Sequence, residues 1–91
     1  MRFEWDARKA DANLAKHGVS FESVREFDWS QAIIRRDDRR DYGEVRWIAL
    51  APIRNRIHVL VFTLRSGRVR VISLRKANRR EQNAWKQAQD R

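Results

Sequence analysis

Basic side chains crowd one stretch of this chain. Residues 68–81 read RVRVISLRKANRRE, with six Arg or Lys before the first acid. From Val45 to Arg80 there are ten basic residues and no acidic one, while the rest of the 91 residues hold eleven basic and twelve acidic. The chain carries a net charge of +9 and is nearly neutral outside that positive segment. Concentrated like charge repels itself, and a polyanion or an acidic partner offsets that cost. Arginine brings paired planar donors that match phosphate oxygens, and its charge does not titrate away. Near these cations stand two groups able to move protons, Glu44 ahead of Arg46 and His17 ahead of Gly18. The set suits one reaction that needs no metal, the transesterification of RNA. A base removes the 2′-hydroxyl proton and the oxygen attacks the adjacent phosphorus. Cations stabilise the growing phosphate charge, and an acid protonates the leaving 5′-oxygen.

Other chemistries lack their residues. There is no Cys, which removes disulfides, thiolate metal sites and Cys nucleophiles. Two His and no Cys argue against a structural zinc, and three Gly form no phosphate-cradling loop, so neither metal nor cofactor is expected. The N-terminus is charged throughout, without an apolar signal core. The apolar stretch IALAPI is far too short for a bilayer, so the chain reads as soluble and cytoplasmic. Plainer roles compete for the same side chains. Glu44 can simply pair with Arg46, His17 can complement a helix C-terminus, His58 sits in an apolar strand, and Trp5, Trp47 and Trp85 suit a core. A non-catalytic module that binds nucleic acid or a partner protein is the alternative reading.

The elements that must position these groups follow from periodicity and end signals. Ninety-one residues suit one domain spanning 1–91. RFEW reads as a short strand. DARKADANLAKHG predicts a helix capped by Asp6 and ended by a left-handed Gly18. Its inward face is Ala7, Ala10 and Leu14, while Lys9, Asn13, Lys16 and His17 gather on another. SFESVREF predicts a second short helix, capped by Ser20, with Phe21, Val24 and Phe27 facing in. SQAIIRR reads as a strand, DDRRDYG as a charged loop, and EVRWIALA as a strand that Pro52 ends or confines to an edge. After the turn PIRN, RIHVLVFTLR is apolar on both faces and therefore central. A tight turn at Ser66–Gly67 leads into RVRVISLR. Arg68 and Arg70 share a face of that strand, and Arg75 falls on the other unless a bulge intervenes. ANRREQNAWKQAQ closes the chain as a helix, with Asn78 and Glu81 as a capping box and Ala84, Trp85 and Ala88 inward. The order predicts an α+β domain: an antiparallel sheet with two N-terminal helices and one C-terminal helix.

Three stretches carry a family resemblance. FEWDARKADANLAKHGVSF, YGEVRWIAL and VFTLRSGRVRVISLRKANRRE resemble, in order, the motifs of BrnT-type toxins of bacterial type II toxin–antitoxin systems. The resemblance implies a RelE-like fold and a ribonuclease that blocks translation. It also implies a BrnA-type antitoxin with a ribbon-helix-helix domain, binding of operator DNA through that antitoxin, and an assembly of two toxins with two antitoxins. Two positions depart from the family pattern: Ala51 followed by Pro52 where a Gly is usual, and Trp85 where a Tyr is usual. The candidate site residues are Glu44 and His17 for proton transfer and Arg46, Arg70 and Arg75 for the reacting phosphate. Lys9, Lys16, Arg65, Arg79 and Arg80 are candidates for holding the flanking RNA. Arg75 is the first choice for the scissile phosphate, with Arg70 serving a different one because the two face opposite ways.

Overall fold

The computed structural model describes residues 1–90. Its elements run β1 (Phe3–Glu4), α1 (Ala7–His17), two 3-10 turns (Phe21–Glu26 and Trp29–Gln31), β2 (Ile33–Arg36), β3 (Trp47–Ile53), β4 (Arg56–Arg65), β5 (Arg68–Lys76) and α2 (Arg79–Gln89). The strands form one sheet in the order β1-β5-β4-β3-β2. The α+β class holds, with one difference in the sheet. Strands β2 to β5 are antiparallel, but β1 joins β5 in parallel, with Phe3 opposite Val69 and Glu4 opposite Arg70.

β4 is central, as its two apolar faces require. On one face Leu60 and Phe62 join Ala49, Ala51, Val71 and Leu74 beneath Phe21, Val24 and Phe27. On the other, Ile57, Val59 and Val61 join Ile48 and Leu50, with Trp85 of α2 packed against them. Ser66 and Gly67 both take positive φ, 49° and 76°, which suits a two-residue turn between twisted strands. The second predicted helix is a 3-10 turn, and its three aromatic and aliphatic anchors are buried as expected. Ser30 and Gln31 likewise belong to a 3-10 turn, so β2 begins only at Ile33.

β3 starts at Trp47, later than expected, and runs through Pro52 to Ile53. Proline is tolerated there because β2 pairs only as far as Leu50, and the Pro52 carbonyl, turned away from β4, accepts from Asp28 N at 2.9 Å. The turn is therefore Arg54–Asn55, closed by the Ile53–Arg56 pair. In α2, Trp85 and Ala88 are half-buried, while Ala84 is exposed.

α1 is capped as predicted: the Asp6 carboxylate accepts from Arg8 N and Lys9 N, and Gly18 is left-handed at φ 69°. Its inward side is different. Ala7 is exposed and Leu14 is 49% exposed, whereas Asn13 is buried. The Asn13 Nδ2 donates to Leu74 O at 2.7 Å and to Val19 O at 3.0 Å, and Leu74 N donates to Asn13 Oδ1 at 3.2 Å. β1 is only two residues long, so β5 beyond Arg70 has no strand on that side. The side-chain amide takes the place of a strand partner for the Leu74 peptide groups, which would otherwise be unpaired in the interior.

A bulge interrupts β5. Val61 pairs with Ser73 but Phe62 pairs with Val71, which leaves Ile72 as the extra residue.

Candidate RNA-binding face

The bulge decides which way the arginines point. One extra residue reverses the alternation of β5, so residues on either side of it keep to partners that alternate regularly on β4. Arg68, Arg70 and Arg75 sit opposite Arg65, Thr63 and Val59. Those three β4 positions are separated by even numbers of residues and share one face. The expected split of the basic run between two faces is therefore overturned: Arg65, Arg68, Arg70 and Arg75 lie on the face that α2 partly covers. Arg70 and Arg75 remain far apart along it, by four β4 residues or about 13 Å.

At one end of this face the arginines hold two carboxylates. Glu44 accepts from Arg46 Nε at 3.1 Å and from Arg65 Nη2 at 3.3 Å. Glu4 accepts from Arg70 Nη1 at 2.7 Å and lies 3.7 Å from Arg68 Nη1. Between them Thr63 Oγ1 donates to Val45 O at 2.6 Å and ties the 44–46 segment to β4. Burial raises the Glu44 pKa, but hydrogen bonds and charge from Arg46 and Arg65 outweigh it, and the net shift is downward. Glu44 is thus an ionised carboxylate at neutral pH.

At the other end Arg75 grips Glu81 through two bonds of 2.8 Å. Glu81 also completes the capping box of α2, accepting from Asn78 N at 2.9 Å while its own N–H donates to Asn78 Oδ1 at 2.8 Å. The start of α2 and the end of β5 are therefore locked through one carboxylate. His17 stands one helical turn after Asn13, on the same side of α1. Its pKa is lowered by partial burial first, then by the charges of Lys16 and Arg75. A neutral imidazole beside a cation is the result.

The loop between β2 and β3 holds what the sequence did not reveal. The Asp37 side chain is fully buried. It accepts from Arg39 Nε and Nη2, both at 2.8 Å, from Arg39 N at 3.2 Å and from the Tyr42 hydroxyl at 3.1 Å. Hydrogen bonds from Arg39 hold its carboxyl far below the usual carboxylate range, although burial opposes them. The Arg46 guanidinium lies 4.1 Å from the Tyr42 ring centroid. The only sequence signal was a lone Tyr in a run of charges.

The remaining candidates do not converge on these clusters. Lys9 and Lys16 are exposed on α1, Lys16 beside His17 and Lys9 two turns before it. Arg79 and Arg80 are exposed in the first turn of α2. His58 is buried with Nδ1 2.8 Å from Arg56 O, a structural role as expected. Among the described residues, no three His, Asp or Glu side chains cluster as a metal site requires.

The face is lined with arginines that share three carboxylates, Glu4, Glu44 and Glu81, in a small α+β domain. Residues 5–81 match the family model described as ribonuclease toxin, BrnT, of type II toxin–antitoxin system, and the chain belongs to that family. A ribonuclease toxin of this kind acts on RNA and is paired with an antitoxin. A comparison with curated protein sequences finds no match. Among the described residues, no helix is long and apolar enough to cross a membrane.

Proposed function

We propose that the chain is an endoribonuclease that cleaves RNA by 2′-hydroxyl transesterification, without a metal, on the arginine face of its sheet. The observation that carries this reading is the bulge at Ile72, which puts Arg70 and Arg75 on one face with Arg65 and, beside them, Arg46. Arg75 binds the scissile phosphate, because its charge reaches both His17 and the Glu81 carboxylate that the phosphate would replace. Arg70 binds a neighbouring phosphate: the distance along β4, rather than opposed faces, keeps the two apart. His17, neutral at pH 7, removes the 2′-hydroxyl proton. The 2′-oxygen then bonds to phosphorus, the bond to the 5′-oxygen breaks, and that oxygen takes a proton from solvent. The products are a 2′,3′-cyclic phosphate and a 5′-hydroxyl. RNA phosphates displace Glu81 and Glu44 from their arginines. The phosphates' charge then raises the Glu44 pKa, so Glu44 is the second candidate for proton transfer.

The antitoxin of this reading is of the BrnA type, with a ribbon-helix-helix domain through which the complex contacts operator DNA. It pairs two toxins with two antitoxins in the cytoplasm. Its acidic or hydrogen-bonding groups replace the carboxylates that hold the arginines here. The test is product chemistry. Purified protein incubated with RNA in the presence of a chelator should leave 2′,3′-cyclic or 3′-phosphate ends. RNA bound in a salt-dependent way but never cut, with or without ribosomes, would favour the non-catalytic module instead.

A further inference from the structure

The buried Asp37 serves no step above, and neither does Tyr42. Both belong to the segment that runs onto the arginine face. Tyr42 is half-exposed, its hydroxyl fixed by Asp37 at 3.1 Å and its ring 4.1 Å from the Arg46 guanidinium. Arg40 stands looser and more exposed, 5.8 Å from the same centroid. Asp37 is itself anchored by its backbone, with its N–H donating to Arg46 O at 2.8 Å. Three residues are thereby tied in one ring of contacts: Asp37 to Tyr42, Tyr42 to Arg46, and Arg46 back to Asp37. A tyrosine needed only for packing would bury its ring in one of the two cores, and Tyr42 belongs to neither. Arg46 meanwhile shares Glu44 with Arg65, which places the stacked pair beside the phosphate-binding cations.

We infer that Tyr42 and Arg46 form a stacking shelf for an unpaired nucleobase of the RNA, with Asp37 as the positioning residue that holds the ring. Single-stranded RNA is read by bases stacked on aromatic rings and guanidinium planes, and this pair offers both surfaces at a fixed orientation. The exposed Arg40 is the group that a base displaces. This inference rests on the proposed ribonuclease reading, because that reading brings single-stranded RNA to this face.

The test uses an oligoribonucleotide with 2′-O-methyl groups, which 2′-hydroxyl attack cannot cut, carrying a 2-aminopurine base whose fluorescence falls when it stacks. The parent protein should quench it. Tyr42→Phe keeps the ring but gives up the hydrogen bond to Asp37, so it should quench less than the parent, while Tyr42→Leu should lose the quench and bind about tenfold more weakly. Equal quenching and affinity for Tyr42→Leu and the parent, both folded by circular dichroism, would overturn the shelf, as would a parent that binds without quenching. Cleavage of unmodified RNA is measured in parallel. A parent that quenches but never cuts refutes the ribonuclease mechanism and leaves the shelf standing.

Discussion

Replacing Asn13 by Ala probes the contact that joins α1 to the sheet. The substitution removes three hydrogen bonds and leaves Leu74 N–H, Leu74 C=O and Val19 C=O without that partner. Each buried group left unpaired costs about 1 kcal/mol at the low end of the usual range, so the loss should be about 3 kcal/mol. For a domain of this size that lowers Tm by roughly 15 °C. Urea titrations followed by tryptophan fluorescence measure it directly. Asn13→Asp sharpens the argument. The carboxylate keeps an acceptor for Leu74 N–H but faces two carbonyl oxygens, so its folded pKa should rise. The charged form is then penalised at neutral pH, and the deficit of this variant should shrink as the pH falls and the group is protonated. A loss below about 1 kcal/mol for Asn13→Ala would refute the view that this amide stands in for a strand. His17 lies one turn beyond Asn13, so the same variant should also impair cleavage more than its stability loss explains.

Asp37→Ala should destabilise by about 1–3 kcal/mol, at the low end because its partner Arg39 is largely exposed. The parent's folded carboxyl is held low, so its contribution is present above the ordinary carboxylate range and lost as the pH falls below about 4. Acid unfolding of the parent should therefore be steeper than that of Asp37→Ala. With neutral His17 as the base, kcat/KM should rise with pH along a limb centred below the ordinary histidine value, 6.5, and then level off. His17→Ala should abolish the limb and Lys16→Ala should move it upward by removing a repulsive charge. A limb unchanged in His17→Ala would pass the role to Glu44.

Local features were legible because their causes are local. Asp6, Gly18, Asn78 and Glu81 mark helix ends through chemistry confined to one turn, and Ser66–Gly67 needs only its own backbone. Apolar residues on both sides of β4 announced its central place. The Glu44–Arg46 pair followed from their spacing, although Arg65, the second arginine on Glu44, did not. What escaped depends on partners far along the chain. Asn13 looks like a surface residue until Leu74 is folded against it. RVRVISLR breaks its alternation only at Val71–Ile72, where two apolar residues follow one another, and the true face of Arg75 depends on the bulge at that one break. The parallel pairing of β1 leaves no mark in RFEW, so Glu4 was not expected beside Arg70. Asp37 and Tyr42 were hidden in a loop whose charges suggested solvent.

The central claim is that the arginines gathered on one sheet face carry cleavage. The direct measurement is kcat/KM on single-stranded RNA for Arg70→Ala, Arg75→Ala and Arg25→Ala. Arg25 is an exposed cation near Phe3 and Trp5, which pack into the core on the opposite face. Loss of one phosphate-binding donor should cost about 100-fold or more for Arg70→Ala and Arg75→Ala. Arg25→Ala should stay within about twofold of the parent, since an exposed charge already paired with Glu22 is screened. Folded Arg70→Ala and Arg75→Ala proteins that cut RNA as fast as the parent, or all three variants failing alike, would contradict the account.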